Sequence, residues 1–198
     1  QSVFTSAEVG YKNAYYLTLT GRNDWPSQLA GPNSKQSSFF YPSVGTSILL
    51  SEIFNLPESI SYLKLRASWA SVGLPFGRFL ANPTFEWDFS TGAYKSQAAY
   101  PLYELKPERT ESWEVGLTAR FLKYFNFDVS FYNTKTYNQT VDAQLSPTGG
   151  YNKFYAQTGE VRNRGVELSL EFKNTWNKFT WNSNYTFSAN KNKILSLI

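Results

Sequence analysis

Residues 113–131 read Trp113-Glu-Val-Gly-Leu-Thr-Ala-Arg-Phe121, then Leu122-Lys123-Tyr124, then Phe125-Asn-Phe-Asp-Val-Ser-Phe131. On both sides of the central three residues, apolar and polar side chains alternate without a break. Successive side chains on a strand point to opposite faces, so each run has one greasy face and one wet face. The gap at Lys123-Tyr124 leaves room only for a tight turn. Two amphipathic strands therefore meet in a hairpin.

The pattern recurs outward from there. Leu63, Leu65, Ala67 and Trp69 alternate with Lys64, Arg66 and Ser68. Val166, Leu168, Leu170 and Phe172 alternate with Glu167, Ser169 and Glu171. Phe179, Trp181, Tyr185 and Phe187 alternate with polar residues. Roughly eight strands follow, near 2–10, 14–22, 38–50, 61–72, 111–122, 125–136, 162–173 and 179–189. Each is near the ~9–11 residues that a tilted strand needs to cross a bilayer.

Composition agrees with a barrel in lipid. Only 41% of residues are hydrophobic, yet 18% are aromatic, and mean hydropathy is −0.42. A soluble core draws more on Leu, Ile and Val. A barrel buries alternate residues only and carries aromatic girdles at both interfaces. No stretch approaches the ~18 apolar residues of a spanning helix, which leaves closed β-structure as the membrane option.

Connections alternate in length. Lys12-Asn13, Lys123-Tyr124 and Asn174–Lys178 are short, and Ser51–Ser61 is of medium length. Gly21–Ser37, Gly73–Thr110 and Thr134–Val161 are long, and Asn190 begins another departure. Short periplasmic turns and long extracellular loops give this rhythm. The Lys12, Glu52–Pro57, Tyr124 and Asn177 ends are therefore expected in the periplasm. Tyr124, Phe125 and Trp176 fall where a periplasmic girdle belongs. Arg66 and Arg120 are expected to point into the lumen, because an arginine in the lipid midplane costs about 2–4 kcal/mol.

Chemistry is sparse. The chain has no Cys and no His, which removes thiolate and imidazole ligands, thiol catalysis and a serine–histidine triad. The net charge of +4 is scattered and forms no nucleic-acid patch. Glu108 and Glu111 resemble a carboxylate pair, although Glu108 reads better as a loop–strand anchor. Glu86, Asp88 and Asp142 lack the spacing of a calcium loop. Gly149-Gly150 lacks the Lys and Ser/Thr of a phosphate loop and reads as a turn. An enzyme is not expected, and no cofactor or metal site is called for.

Six segments resemble, in order, the SusC/RagA family of TonB-dependent outer-membrane transporters. They are AYYLTLTGRNDW (14–25), FFYPSVGTSILL (39–50), SYLKLRASWASVG (61–73), LKPERTESWEVG (105–116), GEVRNRGVELSL (159–170) and NYTFSANKNKILSL (184–197). The resemblance implies an all-β fold: a transmembrane, antiparallel, up-and-down β-barrel segment, part of a barrel of about 22 strands around a plug. Residues 1–198 are read as one partial barrel domain, with the plug and the final strands elsewhere. The implied function is import of a bulky oligosaccharide or oligopeptide across the bacterial outer membrane. A SusD-like surface lipoprotein would act as lid, the TonB complex would act through the plug, and outer-membrane lipid would surround the wall. The alternatives are an iron-chelate or vitamin receptor, or a soluble carbohydrate-binding or adhesion module.

Candidate contacts to substrate or partner lie in the expected extracellular loops. They are Arg22, Asp24 and Trp25 of the G-R-N-D-W segment, with Trp87, Tyr94, Tyr100, Tyr151 and Tyr155. Phe85, Phe89 and Tyr103 lie in the same loops. Flat rings offer large contact area to sugar or peptide at small entropic cost. Loop packing is the competing role for each of them.

Overall fold

The alternating segments form one antiparallel sheet. The computed structural model describes residues 1–80, 85–95, 99–100, 104–146, 148 and 151–196. The long strands are β1 (Ser2–Tyr11), β2 (Tyr15–Asp24), β3 (Phe39–Leu49), β4 (Ile60–Leu74), β7 (Glu108–Phe121), β8 (Phe125–Gln144), β9 (Lys153–Trp176) and β10 (Phe179–Ser196). A short hairpin with two residues in each strand, β5 (Trp87–Asp88) and β6 (Ala93–Tyr94), sits between β4 and β7. The eight long strands pair strictly with their sequence neighbours, β4 joining β7. This is up-and-down topology.

Register places all the greasy faces on one side. One cross-sheet row runs Tyr11, Tyr15, Ile48, Leu65, Leu117, Val129, Leu168, Phe187. The next row runs Val9, Leu17, Thr46, Ala67, Val115, Phe131, Val166, Ala189. These side chains are not covered by protein: Phe131 is 54% exposed and Phe187 60%. An apolar face of this extent needs an apolar cover.

The edge of the apolar band is a ladder of rings. Phe121 stacks on Phe125 at 5.1 Å, and Phe125 meets Phe172 at 5.0 Å. The chain of rings continues through Trp176, Phe179 and Trp181. The opposite edge has Trp69 directly facing Trp113. Two aromatic edges flanking an apolar band are what a membrane barrel presents at its two interfaces.

The band also slants across the sheet. It starts on β1 at Tyr11, in the row that reaches Phe187 on β10, but on β10 it starts at Phe179. Those eight residues correspond to about 27 Å along a strand, and the seven strand spacings to about 34 Å across the sheet. The strands therefore lean roughly 40° from the normal to the band, the tilt of transmembrane barrels.

One end of the sheet has tight connections. Lys12 and Asn13 both adopt left-handed backbone (φ 52° and 50°), as do Leu122 and Lys123 (52° and 62°). Paired left-handed residues match the twist of a hairpin. A helical turn, α1 (Leu50–Ile53), leads the β3–β4 connection.

Three sequence expectations are corrected. Thr134–Val161 is not a loop for most of its length, because β8 continues to Gln144 and β9 resumes at Lys153. The two arms stay paired through Gln144 and Lys153, with a register shift between Thr136 and Thr140. β10 likewise runs on to Ser196 instead of departing at Asn190. The β9–β10 connection is tighter than expected, since Trp176 pairs directly with Phe179. These arms extend past the band, where both faces meet water and alternation of hydrophobicity is no longer required.

Candidate functional site

The wet face is an ordered polar wall. Arg66 reaches across the sheet to Asp128, with Nη1–Oδ2 at 2.7 Å and Nη2–Oδ1 at 2.9 Å. Thr118 donates to Asp128 Oδ2 at 2.6 Å and accepts from Arg66 at 2.9 Å. Glu114 stands 3.6 Å from Arg66 Nε. Arg120 donates to Asn126 at 2.8 Å and lies over the Tyr62 ring. Both arginines are on the expected face. Bidentate arginine–carboxylate pairing fixes geometry as well as charge.

Above the wall, the long connections have a small core of their own. Leu29, Phe39, Phe76 and Leu105 are buried together. Leu29 enters through a single 3₁₀ turn at Ser27–Leu29. Main-chain bonds tie the connections together: Lys35 N–H donates to Leu105 O and Leu105 N–H to Asn33 O. Gln157 of β9 grips the Lys106 peptide from both sides, accepting from its N–H at 2.8 Å and donating to its carbonyl at 2.7 Å. This rim was missed by the sequence reading. Isolated leucines in polar stretches have no periodicity, and nothing local marks a glutamine as a clamp.

The candidate contact residues divide into small groups on this rim. Arg22 donates to Asp24 at 2.7 Å. Both line an open groove of about 440 Å³ with Tyr41, Ser43 and Val72. They lie on the polar face beyond Leu19, the last apolar residue of the β2 band, and so above the membrane-spanning part of the strand. The Arg22 guanidinium holds the Asp24 carboxyl below the usual carboxylate range, with a smaller contribution from the Tyr41 hydroxyl. Burial, with the Asp24 carboxylate beside it, pushes the Tyr41 phenol up to about 12.

Trp87 meets Tyr94 edge-on at 5.0 Å, with Phe85 at 6.4 Å from Tyr94. Tyr100 meets Tyr151 edge-on at 5.2 Å. Trp25 and Tyr155 join neither cluster. Trp25 is bound through its main chain to Gln1, and Tyr155 belongs to β9, paired with Asp142. It is a strand residue and not a loop residue. Phe89 is 91% exposed. Tyr103 and Gly149-Gly150 lie outside the described residues.

Two sets of acids weighed in the sequence have structural partners or separate placements. Glu108 and Glu111 are three residues apart on one strand, β7, so their side chains leave opposite faces. Glu111 is engaged by Arg109 at 3.4 Å. Of the acids considered for a cation, Glu86 pairs with Lys95 at 3.1 Å and Asp88 accepts from Ser90 at 2.6 Å, while Asp142 lies on β8 opposite Tyr155. No group of three possible metal ligands occurs among the described residues.

The profile described as "TonB dependent receptor-like, beta-barrel" matches residues 1–196. The chain belongs to the TonB-dependent receptor-like β-barrel family. TonB-dependent receptor P26 of Formosa agariphila is 32% identical over 208 residues, covering 99% of this chain and 20% of that protein. The chain thus spans about a fifth of the length of the curated relatives it matches. Among solved structures, the RagAB peptide importer in its closed-closed state superposes with a TM-score of 0.85 at 24% identity, over 99% of this chain and 22% of that one. The siderophore receptor PirA from Pseudomonas aeruginosa gives 0.63 at 15% identity, over 98% and 34%. Both likenesses are of fold, and they agree with the slanted band and the up-and-down order of this TonB-dependent receptor barrel.

Proposed function

We propose that this chain forms part of the wall of an outer-membrane importer for a bulky nutrient, an oligopeptide or an oligosaccharide. The observation that carries the reading is the joining of three features in one sheet: an apolar band, a hydrogen-bonded polar wall behind it, and a stiffened aromatic rim above. A rigid wall and a rim suit capture and passage, while the mechanical work of opening comes from the TonB complex acting on a plug. The remaining strands and the plug belong to the rest of the protein. A SusD-like surface lipoprotein closes over the rim. The closer superposition on RagAB than on PirA supports this reading over a siderophore receptor.

In this reading Arg22, Asp24 and Trp25, with the Trp87–Tyr94 and Tyr100–Tyr151 pairs, meet cargo or lid. Tyr155 has the weakest claim, being held in the β9 ladder. The test is made on the full-length transporter in its native cell. Deletion is expected to abolish growth on an oligopeptide or oligosaccharide source and to spare growth on the monomer, and affinity purification is expected to bring down a surface lipoprotein. Loss of ferric-chelate uptake with unchanged oligomer use would refute it.

A further inference from the structure

We propose that a basic patch on the outward face, directly above the apolar band, binds the phosphate groups of an outer-leaflet glycolipid. Arg164 faces Lys191 and Arg162 faces Lys193 across β9 and β10, and Lys135 faces Arg162 across β8 and β9. Register puts all five on the same side as Val166, Leu168, Phe187 and Ala189, the side of the band. The row that carries the girdle residues Trp69 and Trp113 on β4 and β7 continues to Arg164 and Lys191. Because the band descends across the sheet, this row stands above it by the time it reaches β9.

Like charges at directly opposed positions destabilise a strand pair. Here the arrangement occurs in three successive pairings. Glu160 relieves Lys135 at 3.0 Å. Among the described residues, no carboxylate lies within ion-pair distance of Arg162, Arg164, Lys191 or Lys193. A phosphate between the strands would turn the repulsion into charge-assisted hydrogen bonds. Continuity with the band selects the source: acyl chains lying on Leu168 and Phe187 bring their headgroup to this height. Basic clusters next to a membrane-embedded surface attract anionic headgroups in the same way.

The inference rests on the membrane-embedded reading but not on the cargo, so an importer that failed the following test would lose only this proposal. Full-length protein is delipidated in nonionic detergent and titrated, by native mass spectrometry, with a phosphorylated outer-leaflet glycolipid, its enzymatically dephosphorylated form, and inorganic phosphate. The phosphorylated lipid is expected to bind roughly tenfold more tightly than the dephosphorylated one. The double substitution Arg164→Gln with Lys191→Gln is expected to remove that difference. Lys191→Gln with Lys193→Gln, which relieves like-charge contacts with Arg164 and Arg162 and leaves β9 unchanged, serves as the second variant, its assembly checked by heat-dependent gel mobility, and is expected to weaken binding in the same direction. Equal binding of both lipids, unchanged binding by either variant, or equally tight binding of inorganic phosphate would overturn it.

Discussion

Arg66 reaches Asp128 by lying across the bare backbone of Gly116. Arg66 is on β4 and Asp128 on β8, so β7 runs between them and must offer a position with no side chain. A Cβ at Gly116 would stand 2.5 Å from Arg66 Cζ. Sequence reading shows Gly116 only as a polar-face residue of an alternating run, whereas the structure shows it as the gap through which the wall is cross-linked. Gly165 does the same for Tyr132, whose hydroxyl would lie 2.6 Å from an added Cβ.

Gly116→Ala is therefore expected to push Arg66 off Asp128. The pair is partly open to water, with side chains 31% and 39% exposed, so the cost is set at about 1–2 kcal/mol rather than the value of a buried pair. Heat-dependent gel mobility of the full-length barrel would register it as a lower unfolding temperature. Arg66→Lys is expected to behave similarly, because an ammonium cannot span both carboxylate oxygens.

Adjacent residues on β10 should respond in opposite ways to the same charge. Phe187 is in the apolar band and Thr186 on the polar wall. Phe187→Arg is expected to cost about 2–4 kcal/mol in the membrane and to reduce the amount of folded barrel. Thr186→Arg is expected to leave it unchanged. Quantitative immunoblotting of folded and unfolded bands separates the two outcomes.

Leu122 carries avoidable strain. Its φ is 52°, a left-handed conformation that costs an L-residue with a bulky side chain roughly 1–2 kcal/mol. Its side chain is 53% exposed, so little packing is lost on replacement. Leu122→Asn is expected to stabilise the barrel by about 0.5–1 kcal/mol, read as a raised unfolding temperature in detergent. No change or a decrease would show that the leucine makes a contact outweighing its backbone.

Acid should release the rim at Asp24. Its folded pKa is depressed by Arg22, so the stabilisation is fully present above the ordinary carboxylate value near ~3.9. It is lost as pH falls through the lower folded value. Trp25 emission is expected to stay constant from pH 7 to about 4 and to shift only in stronger acid. Asp24→Asn should abolish that shift. A transition near neutral pH would contradict the pairing.

How much of this was legible in the sequence followed the solvent. Within the bilayer every second side chain meets hydrocarbon, so Leu117, Val129 and Leu168 announce their strands and the row that joins them. Outside it the requirement lapses. Thr136–Gln144 and Asn190–Ser196 are strands with polar residues on both faces, and alternation gave no sign of them. The rim was legible only as a set of rings. Trp87 and Tyr94 could be seen as loop aromatics, but their edge-on contact depends on a short hairpin with no pattern long enough to detect. The hold of Gln157 on Lys106 spans 51 residues of chain and leaves no local trace.

The most direct test of the account measures what surrounds the two faces. Spin labels are placed one at a time at Leu117, Leu168 and Phe187, and at Ser169, Thr186 and Ser188, in the full-length protein in lipid bilayers. Collision with oxygen, which concentrates in hydrocarbon, is expected to be high for the first three and low for the others. A water-soluble nickel chelate is expected never to reach the first three. Oxygen collision as low at Leu117, Leu168 and Phe187 as at their neighbours would mean that protein covers them, and the sheet would then not be a membrane wall.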